Sequence, residues 1–255
     1  MKVAVSNLSF GGFNFLGEHQ LPASMGLEIF YEFGDDYYWE AVIREAYSER
    51  PVQGLSLHGP CVGVNLAEAG HEHYLCAYER AFRFAAEWDA DYVVVHTNEG
   101  YRDQPERVRA RIKFRLERLL SMAAAYDVDL LVENVGLKTQ KNLLFDFDDY
   151  FALLAAFPRA GALLDTGHAH INGWNLGKTV QRLGTRVRAC HIHDNDGKVD
   201  KHLCIGNGSI QWDGFFQAIG ESAADMTLVF EYANTDLATT LTNIQQVSER
   251  YLQES

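Results

Sequence analysis

The chain has 255 residues, 47% of them hydrophobic, which is enough for a large core and too many for bulk disorder. Its formal net charge of −13 argues against a broad nucleic-acid-binding surface, which needs clustered Lys and Arg. A small anionic substrate stays compatible, because bound cations can reverse a local field.

The first strand candidate is 2–6, and a weaker helix or loop follows near 15–23. Strand 26–31 leads into a helix over 36–48 that carries Tyr37, Trp39, Ala41, Val42 and Ala46 at helical spacing. Strand 54–58 is followed by helix 72–88 with Leu75, Ala81, Phe84 and Ala85. Strand 91–96 precedes helix 105–126, which opens on Pro105 and Glu106, a favourable first turn. The arginines across 102–118 read as its solvated face. Strand 128–133 leads to helix 146–156, with Asp146 as N-cap. Strands 161–165, 187–192 and 227–231 alternate with helices 175–183, 212–220 and 236–252. Eight strands alternating with helices, without a linker, predict a single (β/α)8 TIM barrel spanning 1–255. A doubly wound open sheet is the alternative, but no G-x-G-x-x-G turn follows the first strand.

Met1-Lys-Val-Ala-Val-Ser turns polar at once, and no later stretch reaches the length of a membrane span. Cys61, Cys76, Cys190 and Cys204 form no C-x-x-C pair and read as free buried thiols in a reducing cytosol. The expectation is a cytoplasmic enzyme without a membrane partner; a homo-oligomer is compatible with the sequence.

Six apolar runs stop on a metal-binding type of side chain: His58, His96, Glu133, Asp165, His191 and Glu231. In a parallel barrel those ends converge on the rim that carries active sites. Glu133, Asp165, His191 and Glu231 form the strongest group. A lone buried carboxylate costs several kcal/mol unless it is paired or metal-bound. Three carboxylates and one imidazole make a fairly hard site, suited to Mn, Mg, Fe or Zn. His58 and His96 are candidates for a second metal or for orienting substrate. In Asp165-Thr-Gly-His168-Ala-His170, His168 is favoured over His170. His191 and His193 face one side of their strand, with His193 placed at the rim or in solvent. The long segment 194–212 carries Asp200 and His202, spaced to reach a common ion. Gly206 and Gly208 permit close backbone approach to a ligand, and Trp212 closes this candidate substrate loop. Phe10, Phe13, Tyr31, Phe33 and Trp174 could wall an apolar pocket. Glu28 and Glu32 have no assigned place at the metal.

The runs "LLVENVG", "LLDTGHAHING", "CHIHDNDGKVDKHLCIGNGSIQW" and "LVFEYAN" resemble the xylose-isomerase-like TIM-barrel superfamily over essentially the whole chain. That group includes sugar and sugar-phosphate isomerases and epimerases, inosose dehydratases and endonuclease IV-type enzymes. The resemblance implies one divalent metal on Glu133, Asp165, His191 and Glu231, as in the isomerases and epimerases. Its endonuclease branch implies a three-zinc site that adds His58, His96, His168, Asp200 and His202. Two departures stand out. No Arg lies between His191 and Trp212, where family epimerases often carry one, and the first loops lack a basic cluster for gripping DNA. The implied activity is isomerase, epimerase or related lyase chemistry on a small sugar, sugar phosphate or polyol. Glu133 and Glu231 would exchange a proton with carbon beside a metal-stabilised enediolate, and His168 would orient a substrate oxygen. The alternative is a multi-zinc phosphodiesterase acting on a small phosphoester. The metal count, from one to three ions, separates the two.

Overall fold

A computed structural model describes residues 1–9, 21–48, 51–70 and 72–252; Phe10 and Phe13 lie outside the described residues. Eight parallel strands close into a barrel in sequence order: β1 (Lys2–Ser6), β2 (Met25–Phe30), β3 (Leu55–His58), β4 (Val93–Val95), β5 (Leu130–Glu133), β6 (Gly161–Asp165), β7 (Val187–Ile192) and β8 (Thr227–Phe230). Closure is made by β1 pairing β8, with Lys2 opposite Thr227 and Val5 opposite Phe230. This rules out the open doubly wound sheet.

Around the barrel run α1 (Asp36–Ala46), α2 (Tyr74–Glu87), α3 (Pro105–Ala125), α4 (Phe147–Ala156), α5 (Thr166–Asn172), α6 (Leu176–Leu183), α7 (Trp212–Gly220) and α8 (Leu237–Val247). Their ends carry the expected chemistry. Pro105 begins α3, and the Asp146 carboxylate accepts from Phe147 N–H. The exception is α5, which has no counterpart among the helices expected from the sequence. Asp165 caps it by accepting the His168 N–H at 2.6 Å, so the strand-end carboxylate starts the helix itself.

Strand side chains alternate, so one set faces the helices and the other fills the barrel. Leu130, Val132, Leu164, Cys190, Ile192, Leu228 and Phe230 belong to the large outer core shared with the helices. Tyr92, Val94, Leu131, Leu163 and Ala189 form a separate cluster that plugs the barrel interior. Two residues further along the same strands, the inward positions become His96, Glu133, Asp165 and His191. The apolar plug therefore floors a polar layer at the C-terminal end of the strands.

Several sequence expectations shift in three dimensions. Arg115 does not join a solvated face. It is buried on α3, donates to the carbonyls of Leu66 and Glu68 and to Glu72, and lies over the Tyr74 ring. Tyr31 is buried against Phe84, and Trp174 packs on Phe147 and Tyr150, so both serve the core; Phe33 is exposed. All four cysteines are free, but Cys76 is exposed. Among the described residues no helix is long and apolar enough to cross a membrane.

Candidate active site

Glu133, Asp165, His191 and Glu231 meet at the C-terminal mouth of the barrel, all essentially sealed from solvent. Register explains the meeting: Asp165 lies opposite His191 across β6 and β7, and His191 opposite Val229, two residues before Glu231. His191 Nδ1 sits in the middle. It lies 3.4 Å from Glu231 Oε2, 3.6 Å from Glu133 Oε2 and 3.9 Å from Asp165 Oδ2.

Two further residues belong to this cluster. Glu28, fully buried on β2, accepts from His191 Nε2 at 2.7 Å and from Ser56 Oγ at 2.9 Å. It thereby leaves Nδ1 of His191 to face the other carboxylates. His193 lies neither at the rim nor in solvent. It is 0% exposed and bonds Asp165 Oδ2 through Nε2 at 2.9 Å, because the segment after β7 folds back over it through an Asp194–Leu203 bridge.

The other candidates form two wings. On one side His58 Nε2 and His96 Nε2 stand 3.1 Å apart, and His96 Nε2 is 2.9 Å from Glu133 Oε2. His58 stacks on Phe30 with centroids 4.1 Å apart. On the other side Asp200 Oδ2 lies 3.2 Å from His168 Nε2 and 3.1 Å from His202 Nε2. His168 Nδ1 reaches 3.3 Å from Glu133 Oε1, whereas His170 turns away to Ser209. His202 stacks on His193 and bonds the Glu231 carbonyl while holding a φ of +46°, a conformation a side chain adopts only when its surroundings enforce it.

The 194–212 segment is organised around Asp194, whose buried carboxylate accepts from Asn195, Gly206 and Ile210 N–H and from the Trp212 indole. Trp212 is buried against Phe215 and Phe216. A Cβ on Gly208 would come within 2.3 Å of Asp194 Oδ1, so this glycine lets the chain pack on itself. Gly206 has a φ of +92° and open space around it.

Burial alone would raise the carboxyls and lower the imidazoles, but the charges they turn on one another win. Burial opposes the ionised Glu133, yet His96 and His191 hold it well below the usual carboxylate range; His168 and His193 act likewise on Asp165. Burial opposes the imidazolium of His191, yet Glu231, Glu28 and Glu133 raise it well above normal. His202 is raised to about 9 against its burial by Asp200 and Glu231. The protein alone thus satisfies its buried negative charge with protons.

A divalent cation fits better than protons. His168 Nδ1, His191 Nδ1, His193 Nδ1, Asp200 Oδ1 and Glu231 Oε1 are buried and make no hydrogen bond among the described residues. Buried polar atoms are seldom left so. Glu133, Asp165 and His191 offer ligand atoms within 4.8 Å of one another, as do Glu28, His191 and Glu231, and Asp165, His193 and Glu231. Beside this layer, Asn65, Glu99, Tyr101, Arg102 and Lys141 line a cavity of about 560 Å³. The cleft at the opposite end of the barrel, around Lys2, Gly26, Gly54 and Thr227, brings together no such ligand set among the described residues.

Comparison with known proteins agrees with this architecture. A D-tagatose 3-epimerase-like protein superposes with a TM-score of 0.72 at 21% identity, covering 99% of this chain and 97% of that one. The IolI protein with a zinc atom bound superposes at 0.77 with 15% identity over the whole of both chains. Fructoselysine 3-epimerase of Escherichia coli O157:H7 is 26% identical over 133 residues, which are 51% of this chain and 48% of that protein. An uncharacterized protein of Methanocaldococcus jannaschii is 27% identical over 167 residues, 63% of each chain. The matched segments span less than two thirds of these two relatives. The family model described as xylose isomerase-like TIM barrel matches residues 4–253, and the chain belongs to that family.

Proposed function

We propose that the chain is a divalent-metal-dependent enzyme that moves a proton on a small sugar, sugar phosphate or polyol, as an isomerase, epimerase or related lyase. The observation that carries this reading is the set of three buried carboxylates, Glu133, Asp165 and Glu231, within 3.9 Å of a His191 Nδ1 that makes no hydrogen bond among the described residues. The epimerases among its relatives and structural neighbours support the substrate class.

Glu133, Asp165, His191 and Glu231 would hold the ion. Bound there, Mn, Zn, Mg or Fe would act as a Lewis acid toward negative charge developing on a substrate oxygen. The protein's own part begins with orientation. Glu28 fixes the His191 ring, and His193 and the His168 N–H fix Asp165. His168 stands between Glu133 and Asp200, and its ring would orient a substrate oxygen there. Glu133 ends β5 and Glu231 follows β8, three strands apart around the barrel, so the two carboxylates approach a substrate carbon from different directions; one can take a proton from it and the other return it. The buried floor excludes bulk water from that exchange. The test is incubation of the metal-loaded protein with a broad panel of ketoses and ketose phosphates in D2O. Deuterium incorporation next to the carbonyl is expected, and none across the panel would sink the proposal.

A second reading, multi-metal hydrolysis of a small phosphoester, is favoured by the two wings, His58 with His96 and Asp200 with His202, each ready for an ion of its own. It requires His202→Ala to abolish hydrolysis of an activated phosphodiester. An isomerase would retain much of its exchange activity in that variant.

A further inference from the structure

Cys61 lies on the segment after β3, buried, and with His58 and His96 it offers three ligand atoms within 4.8 Å of one another. The second-neighbour contacts of these imidazoles settle which nitrogens are free. His58 Nδ1 is 2.9 Å from the Gly59 carbonyl, which can only accept, so that nitrogen carries the proton. His96 Nδ1 is 2.5 Å from the Glu99 carboxylate and carries its proton by the same argument. The two Nε2 atoms then face each other at 3.1 Å, with Glu133 Oε2 2.9 Å from His96 Nε2 and 3.7 Å from His58 Nε2. A divalent cation standing between two Nε2 atoms and a carboxylate takes the place of the protons that otherwise offset the Glu133 charge.

The thiol is held in place for that cation. Glu32 accepts the N–H groups of Cys61, Val62 and Gly63 at 3.0, 2.7 and 2.9 Å, which clamps the turn, and its Oε1 lies 3.4 Å from Cys61 Sγ. We propose that Cys61, His58 and His96, with Glu133 Oε2 as a shared oxygen, form a thiolate-bearing metal position beside the carboxylate centre. Two imidazoles and a thiolate are softer donors than the Glu133–Asp165–His191–Glu231 set, so this position selects Zn(II) or Co(II) over Mn(II) or Mg(II). On binding, the Cys61 S–H bond breaks and the sulfur–metal bond forms; the proton leaves to Glu32 or solvent. The inference rests on the reading of the barrel mouth as a metal centre, but not on the sugar chemistry.

The test is Co(II) titration of chelator-stripped full-length protein, followed in the near-ultraviolet where thiolate-to-cobalt charge transfer absorbs. Wild type is expected to show this band, and Cys76→Ser to keep it. Cys61→Ser is expected to lose it while still binding cobalt at the carboxylate centre. Mn(II) added first should leave the band intact. Absence of the band in cobalt-saturated wild type, or its survival in Cys61→Ser, overturns the proposal. Melting of the stripped Cys61→Ser protein at the wild-type temperature assigns the loss to ligation and not to misfolding; a lower melt makes Cys61→Ala, read the same way, the deciding variant. Deuterium exchange on sugars reports separately on the proposed function, so either idea can fail alone.

Discussion

Replacing Glu28 is expected to weaken the metal centre without touching a ligand. Its carboxylate is fully buried, 2.7 Å from His191 Nε2, and it holds that ring with Nδ1 toward Glu133, Asp165 and Glu231. Partners of this kind typically contribute 10- to 100-fold in metal affinity, or about 1.4–2.7 kcal/mol. Glu28→Gln keeps the shape and an acceptor oxygen but gives up the charge, so it should show this affinity loss with a small change in melting. Glu28→Ala also strips a buried imidazole of its partner, which costs about 3–5 kcal/mol of folding stability. Calorimetric titration of the stripped protein with Zn(II) or Mn(II), run beside thermal melts, separates the two effects. Wild-type metal affinity in both variants would refute the claim that Glu28 sets the His191 ring.

Metal loading should release protons, because His191 is held protonated beyond neutral pH in the metal-free protein and must give up Nδ1–H to bind. Affinity should therefore rise with pH, and a pH-indicator assay in weak buffer reads the release. The raised imidazoles of His202 and His58 stabilise the metal-free fold below their unfolded pKa near 6.5, and that contribution is lost as pH climbs through the folded values, about 9 for His202 and about 10 for His58. Melts of the stripped protein should fall across that window; a flat profile would contradict the assigned pairs. Arg115→Ala should cost about 2–3 kcal/mol in a denaturant melt, since it removes charge-assisted bonds to Leu66, Glu68 and Glu72. Gly208→Ala should destabilise by about 1–3 kcal/mol through its clash with Asp194, while leaving the strand-end carboxylates in place.

The barrel was legible because each strand is a short β-rich run and each helix keeps its apolar spacing. The strand-end ligands were legible because a charged or imidazole side chain interrupts an apolar run. Glu28 was not, because β2 is buried on both faces, so no alternation says which side chain faces inward. The inward set follows only from register with Ser56 and Leu57 on β3. His193 was assigned to the correct face but the wrong depth, since its cover comes from a fold-back that pairs residues nine apart. Arg115 shows the same limit: the segment 66–72 that buries it comes from a different turn of the barrel. Cys61 looked inert because nothing in its neighbours along the chain announces that His96 lies beside it.

The central claim is that these strand ends hold a divalent ion. Metal content of the full-length protein, stripped with chelator, reloaded with Zn(II) or Mn(II) and desalted, tests it most directly. At least one ion per chain is expected in the wild type. Asp165→Asn with Glu231→Gln should abolish retention of Mn(II), the ion that the thiolate position disfavours. A wild-type chain that retains no metal, or a double variant that retains Mn(II) as tightly as wild type, would contradict the account.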